Sequence, residues 1–428
     1  MVSSPTAKSV AIIGAGLGGL TLALVLKKHG YNPQFYELRD PDYDLGGAIM
    51  LQPNALRVLD ALGVYSRVKS KGFGAQTITF LADPGLEYTG EYWFGREDIY
   101  GYDAIRLSRQ VLISELRNLV KEAGMEIHYE RKFTKVVSED DSGVVFQFAD
   151  GSQEKADFLI GADGVHSKVR SYMYPDVHPI YSGVFGITYA FPTAHLPLLT
   201  KDFPLPASMQ NKLGSFIMAP QNDGGHEMFA GRQFRYPNQD RAGWDALASN
   251  KEGLMDMIQG DTKEWSPLVQ SVQAQVRTPE AHSLSIWQFD SVPKMDRWYS
   301  STGRVIMLGD AAHGIPPSIG QGANQAFEDG YSLGLLLANA DGRVGLIDTL
   351  KAWNDYRQKR MDQVLQLTLQ VLSMRMSTEE KAKIPEELRW DDDGSEGGKN
   401  KLLWLYIIDI KSDVKNLLES LGVVENQP

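Results

Sequence analysis

Three short segments carry residue types suited to holding a phosphate-bearing cofactor, and each follows an apolar run typical of a buried strand. The first is Gly-Ala-Gly-Leu-Gly-Gly at residues 14–19. The second is Asp-Gly-Val-His-Ser-Lys-Val-Arg at residues 163–170, and the third runs from Gly-Asp at 309–310 to Gly-Gln-Gly at 320–322. Glycines let a backbone approach a phosphate, and carboxylates accept hydrogen bonds from sugar hydroxyls. The three segments therefore predict a nucleotide site assembled from distant parts of the chain.

The first segment matches the dinucleotide fingerprint of a strand-turn-helix unit. Gly14 permits the tight turn, Gly16 lets the backbone approach a pyrophosphate, and Gly19 allows the helix to pack closely on the strand. Glu37 ends the second predicted strand, where a carboxylate can accept hydrogen bonds from ribose hydroxyls. An acid there disfavours a 2′-phosphate, so the pattern predicts FAD or NAD rather than NADP. The alternative is a glycine-rich helix start that binds no ligand.

The other two segments each place an aspartate at the carboxyl end of a predicted parallel strand, where open α/β sheets bind ligands. We expect Asp310 to bind a hydroxyl of a sugar-alcohol chain. Gly320 and Gly322 leave room at a helix N-terminus whose N–H groups can face an electron-rich ring edge. A helix cap is the alternative role for Asp163. His313, close to Asp310, is predicted to be structural.

Composition excludes several classes of function. The chain has 428 residues, a net charge of −11 and ordinary hydrophobic and charged fractions of 43% and 23%, which disfavours binding to nucleic acid. It has no cysteine, so disulfides, thiolate nucleophiles, cysteine-ligated metals and a cysteine-tethered flavin are excluded. Residues 10–26 resemble a signal-peptide core, but the glycine fingerprint explains their composition better. We expect no membrane span and a cytoplasmic location.

Periodicity and turn residues divide the chain into three regions. Predicted strands cover residues 9–13, 34–38, 126–129, 133–138, 144–148, 158–161, 183–191, 214–219, 227–234 and 304–308. Predicted helices cover residues 17–29, 54–62, 109–123, 321–338, 347–373 and 402–421, with a linker at 391–399. The fold class is therefore α/β, with a Rossmann-like domain for FAD or NAD built on a parallel sheet, a mostly antiparallel β-sheet substrate domain and C-terminal helices. The predicted domains are residues 1–178 with 292–345 (interrupted by small substrate-domain segments), 179–291 and 346–428.

In this order, the glycine fingerprint, Asp-Gly-x-x-Ser-x-Val-Arg and Gly-Asp-Ala-Ala-His followed by Pro-x-x-Gly-Gln-Gly resemble the class A flavoprotein monooxygenases. That family includes para-hydroxybenzoate hydroxylase, salicylate hydroxylase and the tetracycline-inactivating monooxygenases. The resemblance extends from about residue 9 to residue 360, whereas the middle region matches only in style. It implies FAD-binding residues at Gly14, Gly16, Leu17, Gly19, Glu37, Arg39, Gly47, Arg109, Asp163, Asp310, Pro317, Gly320 and Gly322.

The resemblance also implies the reaction. NADPH or NADH, bound transiently, reduces FAD, and the reduced flavin reacts with O2 to give a C4a-hydroperoxide that hydroxylates or epoxidises a small aromatic, polyketide or alkaloid-type substrate of secondary metabolism. The flavin carries the difficult chemistry, so no catalytic side chain and no metal is assigned. Arg109 matches the family's Arg-x-x-Leu element, and its alternative is an exposed arginine at a helix start. The expected partners are a substrate and O2, for a monomer or weak homodimer.

The predicted substrate wall lies in the middle region. Alternation places Phe216, Met218 and Pro220 on one face of a strand, with Arg232 on the next strand as a candidate for a phenolate or carboxylate. Ordinary sheet packing and an exposed arginine are the alternatives. His226 follows Asp-Gly-Gly and is predicted to be a solvated turn residue.

Two other functions remain open at this point. A flavin-dependent reductase of a polyprenyl-type substrate shares the cofactor pattern. The lack of a predicted membrane-spanning segment weakens this alternative. A non-catalytic flavin-binding sensor is the alternative from a different class. Halogenation is disfavoured because the sequence has no Trp-x-Trp element.

Overall fold

The computed structural model describes residues 8–43, 46–340, 344–374, 382–390 and 400–423. Its strands are β1 (Ser9–Ile13), β2 (Asn32–Tyr36), β3 (Ala48–Leu51), β4 (Phe73–Ala75), β5 (Thr77–Ala82), β6 (Glu87–Trp93), β7 (Ala104–Ser108), β8 (Ile127–His128), β9 (Phe133–Asp140), β10 (Gly143–Phe148), β11 (Gln153–Ala156), β12 (Phe158–Gly161), β13 (Ile180–Pro192), β14 (Ala207–Asn211), β15 (Gly214–Pro220), β16 (Glu227–Arg235), β17 (His282–Ser291) and β18 (Val305–Met307).

The α-helices in the same ranges are α1 (Leu17–Lys28), α2 (Pro53–Ala61), α3 (Tyr65–Val68), α4 (Glu97–Tyr100), α5 (Arg109–Glu122), α6 (Lys168–Met173), α7 (Arg241–Ser249), α8 (Lys251–Gln259), α9 (Pro267–Gln275), α10 (Asp310–His313), α11 (Gln321–Asn339), α12 (Leu346–Ser373), α13 (Leu403–Tyr406) and α14 (Ile410–Ser420). Within these described ranges, no helix combines the length and apolar character needed to cross a bilayer.

A five-stranded parallel sheet in the order β18-β12-β1-β2-β8 forms the centre of the fold. The strands β1, β12 and β18 are buried on both faces, as their continuous apolar sequences require. Helix α1 is buried over most of its length and lies against α11. A Cβ added to Gly330 would lie 2.4 Å from the Gly18 carbonyl oxygen, and one added to Gly334 would lie 2.7 Å from the Val25 Cβ. The two helices therefore cross at a distance that only glycine permits.

A seven-stranded sheet in the order β17-β13-β16-β15-β14-β5-β6 forms the second layer. All its neighbouring strands are antiparallel except β14 and β5, which run parallel. Helices α7, α8 and α9, which the sequence analysis did not predict, pack on one face. Their apolar side chains form a second hydrophobic core with those of β13, β15 and β16.

The opposite face of the seven-stranded sheet is turned towards a small sheet in the order β3-β7-β4. Phe229 of β16 lies under the guanidinium of Arg106 on β7, and a Cβ added to Gly47 would lie 2.9 Å from the ring of Trp287 on β17. The two layers thus enclose the space between the predicted cofactor residues and the middle region. Strands β9, β10 and β11 form a separate antiparallel sheet.

The C-terminal region departs from the prediction of one helix over residues 402–421. The chain forms α13 and α14, separated by a break in which Asp409 caps α14 by accepting a 3.1 Å hydrogen bond from the Ser412 N–H. A local side-chain cap competes with a continuous helix, and this explains the break. The predicted linker at 391–399 lies outside the described residues.

Candidate functional site

The first glycine loop connects β1 to α1 at the carboxyl edge of the parallel sheet. Gly14 has a φ of +98°, and a Cβ there would lie 2.4 Å from the Ala162 carbonyl oxygen, so only glycine fits. Gly16 differs, because the nearest atom to an added Cβ would be 3.9 Å away. The backbone at Gly16 therefore borders open space. No side chain caps the N-terminus of α1, which leaves its first N–H groups directed at that space.

Glu37 lies beside this loop. Its Oε2 accepts a 2.8 Å hydrogen bond from the Ala15 N–H, and its Oε1 accepts a 2.9 Å hydrogen bond from the Arg39 N–H. A carboxylate oxygen can accept more than one hydrogen bond, so the group can bind a ribose hydroxyl as well. Arg39 is exposed, and its guanidinium lies 4.0 Å from the centre of the Tyr43 ring.

Asp163 follows β12 and lies against the glycine loop, because a Cβ on Gly14 would be 3.1 Å from the Asp163 Cα. The Asp163 Oδ2 accepts hydrogen bonds from the N–H groups of Lys168 and Val169, at 2.7 and 3.3 Å. The capping alternative is thus realised, but Oδ1 is buried and has no partner among the described residues. Burial raises the pKa of Asp163. No donor to Oδ1 is present among the described residues, which points to a ligand on that side.

The second and third motifs are tied together by Arg170. Its two terminal nitrogens donate to the carbonyl oxygens of Ala311, at 3.0 Å, and Val165, at 2.5 Å. The side chain is fully buried, so the strand-following loops after β12 and β18 are fixed relative to each other.

Asp310 begins α10 with an exposed carboxylate. Arg109 lies nearby, at the start of α5. Burial lowers the pKa of Arg109, and the negative charge of Asp310 partly offsets this effect. The Arg109 N–H donates to the Gly47 carbonyl oxygen at 3.1 Å, and the guanidinium lies 5.2 Å from the centre of the Trp287 ring. Arg109 is therefore partly buried and not the exposed helix-start residue of the alternative interpretation.

The segment from Pro317 to Gly322 forms a turn that leads into α11. Gly320 has a φ of +68°, which favours glycine. Its carbonyl accepts a 2.6 Å hydrogen bond from the Asn324 side chain, and the Ile319 carbonyl accepts one of 2.7 Å from the Gln52 side chain. Pro317 is exposed at the start of the turn. The turn is thus supported from behind while its outer side stays accessible.

Behind this turn lies a buried polar network that the sequence analysis did not find. Glu328 lies at its centre and accepts hydrogen bonds from Arg357, Arg360 and Asn54, at 2.6 to 2.8 Å. Its other members are Gln52, Gln321, Asn324, Gln325, Asp329 and Tyr406. Charged residues at buried positions of two helices were the sequence signal for this network. The network could not be predicted because its hydrogen-bonded partners are about 30 to 350 residues apart along the chain.

His313 is structural, as predicted. It is buried, its Nε2 lies 2.5 Å from an Asp329 carboxylate oxygen, and its ring lies 5.0 Å from that of Trp298. The same Asp329 oxygen accepts a hydrogen bond from the Gly309 N–H at 2.8 Å. Burial alone would raise the pKa of Asp329, but the neighbouring His313 and Arg357 lower it well below its ordinary value. His226 ends a short helical turn and is exposed.

The predicted substrate wall is not at the cofactor residues. Phe216 and Met218 do share a face, but that face belongs to the second hydrophobic core, where Phe216 packs on Trp265 at 5.9 Å. Arg232 lies on the same face and donates to the Gly260 carbonyl oxygen at 2.8 Å. The physical reason is the layer of helices α7 to α9, which covers this face. Pro220, at the strand end, instead lines a cavity of about 510 Å³.

Small side chains characterise the opposite face of the same sheet, which is turned towards the cofactor residues. Phe229 is paired with Ala190 on one side and Ala219 on the other, so all three share that face. Gly231 follows two positions later along β16. Trp287 closes one side, donating from its indole nitrogen to the Thr188 hydroxyl at 3.1 Å. This face of the sheet thus combines mostly small side chains with the rings of Phe229 and Trp287.

The described residues fit FAD. Open space at Gly16, uncapped N–H groups on α1, the unpartnered Oδ1 of Asp163 and the exposed carboxylate of Asp310 lie along one edge of the parallel sheet. The unpartnered Nε of Arg109 and the turn before α11 continue the same line. Buried polar atoms without a partner call for an explanation, and a bound cofactor with phosphate and hydroxyl groups would supply one here.

Known proteins agree with this geometry. Residues 7–368 match the family model described as an FAD binding domain. The 6-hydroxynicotinate 3-monooxygenase of Bordetella bronchiseptica is 27% identical over 374 residues, which cover 82% of this chain and 88% of that protein. The 3-amino-4-hydroxybenzoate 2-monooxygenase of Streptomyces cremeus is 30% identical over 326 residues, covering 75% and 76%. The crystal structure of Klebsiella pneumoniae HpxO with FAD and uric acid has a TM-score of 0.72 and 19% identity, covering 97% of each chain, and so shares the fold.

Proposed function

The chain belongs to the FAD-binding domain family, and from that membership we propose that it is an FAD-dependent monooxygenase that uses NAD(P)H and O2 to hydroxylate a small aromatic substrate. The observation that carries the proposal is the set of open or unpartnered groups at Gly16, Asp163 and Arg109 among the described residues. Arg109 lies against Trp287, beside the small-residue face around Phe229. A cofactor and a flat substrate would meet there.

The family match and the related enzymes confirm the predictions of fold class, of FAD and of a monooxygenase. They do not favour the polyprenyl reductase or the non-catalytic sensor. The domain limits and the individual cofactor residues remain predictions.

The residues of the two loops at the sheet edge would hold FAD. The N–H groups at the start of α1, near Gly16, would bind the diphosphate, Glu37 a ribose hydroxyl and Asp310 a hydroxyl of the sugar-alcohol chain. The turn before α11 would lie along the ring, with its N–H groups stabilising negative charge at the ring edge. Bound FAD, reduced by NAD(P)H, supplies the oxygen-activating chemistry.

The chain itself would position the substrate and exclude water. Met50 of β3 borders the turn at Gly320, since an added Cβ there would be 3.8 Å from the Met50 Cβ. Trp287 and Phe229 lie on the other side, each with an arginine guanidinium over its ring. Aromatic walls and a floor of alanines suit a planar aromatic ring held against the flavin. The aromatic substrates named for the two monooxygenases above support this class.

The test is turnover of the FAD-loaded protein. We expect a yellow protein whose consumption of NADH or NADPH and of O2 accelerates with one member of a panel of phenols, hydroxybenzoates and hydroxypyridines. The product should contain one oxygen atom from ¹⁸O-labelled O2. Protein that stays colourless after incubation with FAD, or that oxidises NAD(P)H without giving any oxygenated product from the panel, would contradict the proposal.

A pair of aspartate variants separates loss of cofactor from loss of fold. The carboxylates of Asp310 and Asp176 are both exposed, so neither substitution should disturb packing. Asp310→Asn should retain less FAD after gel filtration, while Asp176→Asn should match the original protein. Equal FAD retention in both variants would remove Asp310 from the proposed site.

A further inference from the structure

Arg106 is a buried cation without a counterion. Its exposure is 8%, and within the described part of the chain its guanidinium makes no hydrogen bond or ion pair, with Nε fully enclosed. Burial lowers the pKa of Arg106 to about 10, and no carboxylate offsets this effect. Buried charges in proteins are ordinarily paired, so this arginine requires an explanation.

Other buried arginines of the chain show what is missing. Arg357 and Arg360 bind the Glu328 carboxylate, and Arg170 donates to two backbone carbonyl oxygens. Arg232 donates to the Gly260 carbonyl oxygen. Arg106 has only the ring of Phe229, whose centre lies 4.4 Å from the guanidinium carbon. A cation–π contact alone compensates little of the cost of burying a charge.

The position of Arg106 places it at the proposed substrate space. In the small sheet it is paired with Met50 on one side and Phe73 on the other, so the three side chains share a face. Met50 borders the turn at Gly320, and Phe73 lines the cavity of about 510 Å³ together with Pro220. Across from this face lie Phe229 and its alanine neighbours. Arg106 therefore lies between the cavity and the turn proposed to border the flavin.

We propose that Arg106 is the binding site for a carboxylate, or an equivalent acidic oxygen, on the aromatic substrate. The planar guanidinium matches a carboxylate with two parallel hydrogen bonds, and burial strengthens such bonds. The substrate ring then extends over Phe229 and the alanines towards the turn at Gly320. The inference rests on the proposed function, because it assigns the substrate class of the same site.

Binding measurements on the FAD-loaded protein test the inference without turnover. Isothermal titration calorimetry would compare 4-hydroxybenzoate with 4-hydroxybenzamide, two molecules of similar shape that differ in charge. We expect the carboxylate to bind at least about tenfold more tightly, which is the low end for a charge-assisted hydrogen bond. Arg106→Met should abolish that preference, and Arg106→Lys should keep part of it, because lysine supplies charge without the planar pair of donors.

Arg232→Met is the matched control, since Arg232 is also a buried arginine over aromatic rings but lies on the helix-covered face of the sheet. It should keep the full preference. The proposal is overturned if the original protein binds neither probe, if it binds both equally, or if Arg106→Met keeps the preference. If Arg106→Met does not retain FAD, the other two variants decide. The proposal is then overturned if Arg106→Lys keeps the full carboxylate preference while Arg232→Met loses FAD to the same extent as Arg106→Met.

The two proposals fail in different ways. FAD-loaded protein that prefers the carboxylate but never oxygenates a substrate would keep the Arg106 site and contradict the monooxygenase. Protein that oxygenates neutral phenols and shows no preference for 4-hydroxybenzoate would keep the monooxygenase and refute the Arg106 site.

Discussion

Replacing Glu328 with glutamine should strongly destabilise the protein although the shape of the side chain hardly changes. The carboxylate is fully buried and accepts hydrogen bonds from Arg357, Arg360, Asn54 and Gln325. A glutamine amide nitrogen cannot accept these hydrogen bonds, and the positive charges of both arginines would lose this partner inside the fold. Removing one member of a buried ion pair typically costs about 3 to 5 kcal/mol.

The pKa of Glu328 gives an independent magnitude. Burial alone would raise it, but the charges of Arg360 and Arg357, aided by hydrogen bonds, lower it from 4.5 to about 2. A difference of about 2.5 pKa units corresponds to about 3 kcal/mol of folding free energy. Because the folded-state pKa is the lower one, this contribution is fully present above pH 4.5 and is lost as the pH falls towards 2. Both routes therefore give about 3 kcal/mol at neutral pH.

Urea unfolding followed by tryptophan fluorescence would measure the effect at pH 7 and at intervals down to pH 3. We expect Glu328→Gln to lose about 3 kcal/mol at pH 7 and to show a flatter acid dependence than the original protein. Asp355→Asn is the control, since Asp355 forms an exposed ion pair with Lys351 and should change stability by less than about 0.5 kcal/mol. A loss below about 1 kcal/mol for Glu328→Gln, or an unchanged acid dependence, would refute the reasoning.

Further substitutions test other parts of the structure. Gly16→Ala should fold normally but lose FAD retention. Gly14→Ala should lower the soluble yield as well, because only a Cβ at Gly14 would collide with the protein backbone. Equal circular dichroism and FAD content in the two variants would contradict this. Tyr406→Phe removes the hydroxyl that contacts Gln52 and the Trp93 carbonyl and should cost about 1 kcal/mol in urea unfolding; no change would show that these hydrogen bonds do not stabilise the fold. Arg106→Met should raise the free energy of unfolding of FAD-loaded protein without substrate by roughly 1 to 3 kcal/mol, because a desolvated charge is removed, and a decrease would show that Arg106 has a structural partner.

The sequence predicts FAD binding correctly because the features that indicate it are local. Gly14 needs its positive φ within a single strand-to-helix turn, and Asp310 follows its strand by only a few residues. Such chemistry can be recognised without knowing the tertiary fold.

The substrate end depends on tertiary packing, and there the prediction was limited. Alternation placed Phe216 and Met218 on one face, and the structure confirms that they share it. Alternation does not say which face meets which layer, and helices α7 to α9, which decide the matter, have only short apolar stretches. Arg106 carried a readable signal, a charge within the otherwise apolar run Ala104–Ser108, but its isolation from carboxylates is visible only in three dimensions.

The glycine contacts between α1 and α11 have a mechanical consequence. One helix starts at the loop proposed for the diphosphate and the other at the turn proposed for the ring. They meet at Gly330, which lies against the Gly18 backbone, and at Gly334, which lies against the Val25 side chain. Because α1 and α11 are packed tightly where they cross, their N-termini stay at one fixed distance, and so would the two ends of the cofactor. Any displacement of the ring would then have to come from the small sheet and the Gly46–Gly47 backbone opposite. A methyl group added at Gly330 would instead change the distance between the N-termini of the two helices.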